Sequence, residues 1–273
     1  MYGDYWGLSQ LPFENTPDPR FLFQSPHHQE GLARLTYVIE GRKGAGLLTG
    51  VFGCGKTLLA RALLGQLSPS RYRMVYIGNP LMSEVELLHG IATKLNVPDL
   101  PDRRSDLLTD VLLDAMGRTL QDNMRDGKDT LIIVDEAHVI RDARVLEELR
   151  LLLNFQEEDR FLLTLILMGQ PELKELVDRD KPLSQRMCLG YHLVPLTEPE
   201  TGAYLKHRLS VAGAKDPGSI FAKRAVKLLF EHSAGIPRRI NQLADLAMVS
   251  GMGKKLKQID DAVIKDAVAS LGV

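Results

Sequence analysis

Gly50-Val51-Phe52-Gly53-Cys54-Gly55-Lys56-Thr57 follows the apolar run Gly44–Thr49 and opens a helical pattern that continues to Leu67. The stretch fits G-x-x-x-x-G-K-[ST], and a strand before it with a helix after it is the setting that gives the pattern its meaning. Glycines let successive backbone N–H groups turn inward around an anion. The helix that follows adds its N-terminus and dipole to the same charge. The reading assigns phosphate contact to Gly50, Gly53, Cys54, Gly55, Lys56, Thr57 and Leu58. Lys56 would reach the β- and γ-phosphates, and the Thr57 hydroxyl would bind Mg²⁺.

Four further signals lie downstream in the same chain. Leu131-Ile-Ile-Val-Asp135-Glu136-Ala-His138 delivers two carboxylates at the end of an apolar strand. In open parallel sheets ligands bind at that end. Asp135 is then placed for Mg²⁺ and Glu136 to polarise an attacking water; read alone, the pair only caps the next helix. Leu165-Ile-Leu-Met-Gly169-Gln170 repeats the pattern with an amide, which orients the water or merely turns the chain. Arg186, before the last strand, either points at a neighbouring subunit's γ-phosphate or finds a local partner. Arg238 follows Pro237 at a helix N-terminus, a poor place for a cation unless a phosphate contact demands it.

The strand candidates Arg73–Ile77, Thr130–Val134, Phe161–Met168 and Tyr191–Val194 are short apolar runs. They alternate with helices over Ser83–Leu95, Ser105–Arg125, Ala143–Phe155 and Leu173–Val177. Ser83 and Glu86 have capping-box spacing. This alternation predicts a parallel sheet covered on both faces. After Pro195 only helices are predicted: Glu198–Val211, Ser219–His232, Pro237–Val249 and Asp260–Ser270. At the start, Pro12, Pro17, Pro19 and Pro26 exclude a regular helix and predict an extended arm pinned by Phe13, Phe21 and Phe23. A helix then runs from Ser25–Pro26 to Glu40.

Two hundred and seventy-three residues with 44% hydrophobic and 25% charged side chains are ordinary globular composition. The net charge of -1 gives no global basic field for nucleic acid; Arg71-Tyr72-Arg73 and Lys254-Lys255 are local exceptions. Cys54 and Cys188 build no disulfide framework, and point to a reducing, cytoplasmic setting. The N-terminus lacks the apolar core of a signal peptide. No apolar run approaches the ~20 residues of a membrane helix. Within the phosphate loop, Cys54 reads as a small inert side chain, and His27, His28 and His138 lack companions at metal spacing.

The order of phosphate loop, Asp-Glu strand end, polar strand end, Arg and helical lid resembles the AAA+ ATPases. Met1-Tyr-Gly-Asp-Tyr-Trp-Gly-Leu, Thr16-Pro-Asp-Pro-Arg-Phe, Gly169-Gln-Pro-Glu-Leu, Tyr204-Leu-Lys-His-Arg-Leu and Gly235-Ile-Pro-Arg-Arg-Ile-Asn-Gln-Leu are similar to signatures of the ExeA/GspA family of the general secretion pathway. The resemblance implies an α/β, three-layer α/β/α P-loop fold with a parallel sheet, followed by a small all-α lid. It implies an N-terminal arm and first helix over 1–40 packed on the core, a nucleotide-binding core over 41–196 and a lid over 197–273. It makes Lys56 and Thr57 Walker A, Asp135 and Glu136 Walker B, Gln170 sensor 1, Arg186 the arginine finger and Arg238 sensor 2. ATP and Mg²⁺ are the implied ligands, lying between core and lid, with Arg186 acting in trans in a homo-oligomer.

Family members continue into a membrane helix and a peptidoglycan-binding region. The chain stopping after the lid leads to the expectation of one complete ATPase module that reaches the inner membrane only through an envelope-assembly partner, similar to MshM-type and polysaccharide-locus ATPases. The core also resembles TniB/TnsC-type transposition regulators, so a DNA-bound switch is the alternative.

Overall fold

The computed structural model describes residues 2–101, 107–157 and 160–271. The end of the loop expected over Asn96–Arg104 and the start of the helix expected over Ser105–Arg125 therefore lie outside the described residues. Two compact units emerge: one of residues 30–50 and 62–193, the other of residues 1–29, 51–61 and 194–273.

The first unit is built on five parallel strands, β1 (Ala45–Gly50), β2 (Tyr72–Ile77), β3 (Asp129–Val134), β6 (Leu163–Gly169) and β7 (Met187–Leu193), in the order β2-β3-β6-β1-β7. A small antiparallel pair, β4 (Gln156–Glu157) with β5 (Arg160–Phe161), stands apart from them. The three central strands are almost wholly buried, as their continuous apolar runs require, whereas the edge strand β7 alternates. That alternation hid its first half from the sequence reading, which began the strand only at Tyr191.

Helices cover both faces of the sheet. Leu47, Val75, Ile132, Val134 and Leu165 share a core with α4 (Glu84–Leu95), α5 (Thr109–Arg125), α6 (Ala143–Leu152) and α7 (Glu172–Arg179). Side chains alternate across a strand, so Gly46 and Ile166 face the other way. There a Cβ on Gly46 would lie 3.4 Å from Val38 of α2 (Pro26–Glu40). Ser83 closes the expected capping box with Glu86 at the head of α4. Register sets the strand ends level: Thr49 is paired with Gly169 and Val134 with Leu167. β6 therefore ends between β1 and β3, and the residue after it, Gln170, follows the strand that separates the other two.

The second unit is a helical cluster of α9 (Glu198–Val211), α10 (Lys223–Ser233), α11 (Pro237–Gly253) and α12 (Asp261–Leu271). Thr197 and Glu200 form a capping box at the start of α9. The first residues of the chain pack on these helices. Tyr2, Leu8 and Phe13 belong to the same buried core as Leu209, Ile240 and Met248. Trp6 donates its indole N–H to Met248 O at 3.0 Å, Tyr2 hydrogen-bonds Asp245, and Arg208 donates to the carbonyls of Pro12 and Glu14. The arm is not wholly extended: α1 (Tyr2–Tyr5) makes one turn upstream of the first proline, where nothing forbids it. α3 (Lys56–Gln66) and the short α8 (Lys181–Ser184) are the remaining α-helices among the described residues.

Candidate functional site

In the helical unit the glycine-rich loop leads into α3 at Lys56. Gly53 has φ 86°, and a Cβ there would stand 2.8 Å from Cβ of Arg238. Glycine thus serves twice, as a left-handed hinge and as room for a close neighbour. Arg238 N–H donates to Gly53 O at 3.3 Å, and its guanidinium lies 4.3 Å from the ring centroid of exposed Phe52. The sequence-predicted Arg238 is therefore joined to the loop by its backbone and by a cation–π contact. Lys56 is buried and donates to Val51 O at 3.2 Å, which spans the loop from end to end. Thr57 occupies the first turn of α3 beside it, followed by Leu58.

Cys54 is 1% exposed, and burial pushes its thiol up to about 11. A thiol so shifted stays protonated at physiological pH. Its carbonyl is held by a residue the sequence reading passed over. His28 Nε2 donates to Cys54 O at 3.1 Å, while its Nδ1 accepts from the Ser25 hydroxyl at 2.7 Å. A carbonyl only accepts, so Nε2 carries a proton. Burial favours the neutral ring, in which Nδ1 is the acceptor, and holds the His28 pKa below the ordinary histidine value. Phe21, Phe23, Leu58, Leu196, Tyr204 and Pro237 line a small cavity of about 30 Å³ next to this histidine.

In the sheet unit the strand ends assemble the other candidates. Asp135 is 1% exposed; its Oδ2 accepts from the Tyr76 hydroxyl at 2.7 Å and its Oδ1 from the Glu136 N–H at 2.8 Å. Glu136 has φ 53°, a left-handed conformation that costs a side-chain-bearing residue on the order of 1 kcal/mol or more. β3 has ended at Val134, two residues before this bend. His138 stands between Glu136 and Gln170: its Nδ1 lies 3.5 Å from Glu136 Oε2 and 3.3 Å from Gln170 N, and its Nε2 lies 2.9 Å from the Gln170 side-chain nitrogen. Arg186 is held elsewhere, donating to Leu153 O at 2.9 Å and to Asn154 Oδ1 at 2.6 Å. Asp135, Glu136 and Gln170 are thus gathered at neighbouring strand ends, and Arg186 is anchored to the segment after α6.

His28, Phe52 and His138 are the residues that sequence reasoning missed. The weak signal was there, a histidine three residues after the Ser25 cap and another two after Glu136. Neither spacing has a meaning until the fold supplies the partner.

A five-stranded parallel sheet with a glycine-rich loop after one strand and carboxylates after another defines an AAA-type P-loop fold. The chain belongs to the AAA domain family, which matches residues 39–177, and that family consists of P-loop ATPases. It is 39% identical over 256 residues to General secretion pathway protein A of Aeromonas hydrophila, a match covering 93% of this chain and 45% of that protein. The chain therefore spans less than half the length of that relative. Among solved structures it is similar to Cdc6p from Pyrobaculum aerophilum, with TM-score 0.73 and 18% identity over 95% of this chain and 70% of that one. It is likewise similar to the Aeropyrum pernix ORC2 protein in its ADPNP-ADP complexes, with TM-score 0.69 and 16% identity over 95% and 70% of the two chains. At such identities the likeness is one of fold. Among the described residues no helix is long and apolar enough to cross a membrane.

Proposed function

We propose that this chain hydrolyses ATP and uses the cycle, as a homo-oligomer, to drive or regulate assembly of a bacterial envelope secretion, pilus or polysaccharide-export system. The observation that carries the chemistry is the strand-end cluster of Asp135, Glu136 and Gln170 in a chain that also holds a glycine-hinged Lys56–Thr57 loop. Similarity to General secretion pathway protein A supports the process. In this reading the loop amides and Lys56 hold the phosphates, Glu136 takes the proton of the attacking water, and Gln170 orients that water. Arg238 answers to the bound nucleotide from the start of α11. The cavity beside His28 receives the edge of the base once its apolar walls part.

Mg²⁺ fits the residues present. The Thr57 hydroxyl and the Asp135 carboxylate are hard oxygen donors, the chemistry this ion prefers, with phosphates and water completing its shell. Among the described residues no cluster of three or more His, Cys, Asp or Glu side chains offers a different metal centre. When bound, the ion would neutralise charge on the phosphate oxygens.

Arg186 would act on a neighbour's γ-phosphate after leaving Leu153 and Asn154. Attachment to the inner membrane through a partner protein is part of the same proposal.

Substitution separates binding from turnover. Lys56→Ala is expected to abolish nucleotide binding, and Glu136→Gln to retain binding while turnover falls by a factor on the order of 10² or more. Normal hydrolysis by purified Glu136→Gln protein would sink the assignment. Mixing Arg186→Ala with Glu136→Gln protein should restore activity if the arginine works in trans. Salt-sensitive stimulation by duplex DNA would move the biological reading to a DNA-bound regulator.

A further inference from the structure

Both ring nitrogens of His138 engage Gln170, one with the backbone and one with the side chain, while the same ring borders Glu136. The room for this is made by Gly169. A Cβ there would come within 3.1 Å of both His138 N and His138 Nδ1, so any larger residue at the end of β6 would push the ring away. The His138 side chain is 13% exposed and that of Glu136 35%. The ring is therefore a fixed wall, and the carboxylate beside it is the part that meets solvent.

We infer that His138 is a positioning residue which couples the Gln170 amide to the Glu136 carboxylate, so that the two act on the attacking water as one unit. The inference rests on the ATPase reading of the same site. Its logic is that of hydrogen-bond donors and acceptors. The Gln170 backbone N–H can only donate, so Nδ1 accepts and the proton of the neutral ring sits on Nε2. Nε2–H then donates to the Gln170 carboxamide, whose oxygen must take the place 2.9 Å from Nε2 where the structure sets the nitrogen, a half-turn of the amide that exchanges the two atoms. Nδ1, its lone pair engaged by the Gln170 N–H, has no proton to give Glu136 Oε2 3.5 Å away, so the ring takes no proton-accepting capacity from that carboxylate. If Gln170 moves, Nδ1 loses its donor. The tautomer with the proton on Nδ1 becomes the better one, and it hydrogen-bonds Glu136 Oε2. Gln170 held means Glu136 available; Gln170 released means Glu136 restrained.

The test is steady-state ATP hydrolysis and nucleotide binding by the full chain. Variants are His138→Ala, His138→Asn, His138→Gln, Gln170→Ala, the His138→Ala/Gln170→Ala double and Glu136→Gln as reference. The expected result is a fall in kcat of ~10-fold or more for His138→Ala with KM changed by no more than about twofold, the pattern of an interaction made only in the transition state. His138→Asn keeps an acceptor where Nδ1 stood and should recover part of the loss. The double variant should be little worse than either single, because the two residues form one device. An unchanged kcat in His138→Ala, or single losses that multiply in the double, overturns the inference. If the alanine variant does not fold, the asparagine and glutamine variants decide on the same criterion. Loss of turnover in Glu136→Gln with normal turnover in the His138 variants defeats this inference alone. Normal turnover in Glu136→Gln defeats the ATPase reading beneath it.

Discussion

At the scale of single residues, environment separates side chains that the sequence writes with the same letter. Cys54 is buried in the loop with its thiol pushed up to about 11, whereas Cys188 is exposed on β7. Iodoacetamide at pH 8 should label Cys188 within minutes and leave Cys54 unmodified until the chain is unfolded, as peptide mass mapping would show. Rapid labelling of native Cys54 would contradict the burial described above. The glycine–lysine loop and the Asp135–Glu136 pair were legible in the sequence because each is a contiguous string with its own chemistry. His28 and His138 were not. Their partners lie 26 and 32 residues away, and only the folded chain brings them within reach.

At the scale of elements, α2 carries a pH sensitivity into the loop. Burial lowers the pKa of His28; the nearby charge of Glu200 opposes the shift and His27 adds to it. The unfolded chain takes up this proton near the ordinary histidine pKa of 6.5, the folded chain only at lower pH. Stability is therefore complete above that value and is lost as pH falls through it toward the folded pKa. Melting temperature should drop between pH 7.5 and 5.5, and nucleotide affinity with it, since protonation weakens the neutral Ser25–His28–Cys54 chain of hydrogen bonds. His28→Gln keeps an N–H for the carbonyl and should flatten the slope. The lowered pKa of His207 leaves a residue of it. An equally steep profile in the variant would remove His28 as the cause. Elements with caps or long apolar runs were readable from sequence, among them α2, α4, β3 and β6. The β4–β5 pair and the first half of β7 were not, because two-residue strands and an edge strand of alternating burial leave little periodic signal.

At the scale of the whole molecule, neither unit is a contiguous piece of chain. The backbone passes between them after residues 29, 50, 61 and 193. A chain cut after Leu193 loses Arg238, which holds Gly53 O, and uncovers Tyr2, Leu8 and Phe13. Such a fragment is expected to aggregate and to bind no nucleotide; soluble yield and calorimetric titration would check it, and a monomeric fragment that binds nucleotide would contradict it. The four helices that follow Pro195 were legible in the sequence. The membership of residues 1–29 and 51–61 in the helical unit was not, since it depends on contacts across some two hundred residues of chain.

The arm on the lid helices has a further consequence, in the order of events during synthesis. Trp6 rests on Met248 and Tyr2 on Asp245, so these aromatic residues wait for partners made 242 and 243 positions later. At ~5–20 residues per second that delay is on the order of ten seconds or more, with aromatic side chains uncovered throughout. Closing the arm onto α11 would then be a late step in folding, slow because its contacts are so distant along the chain.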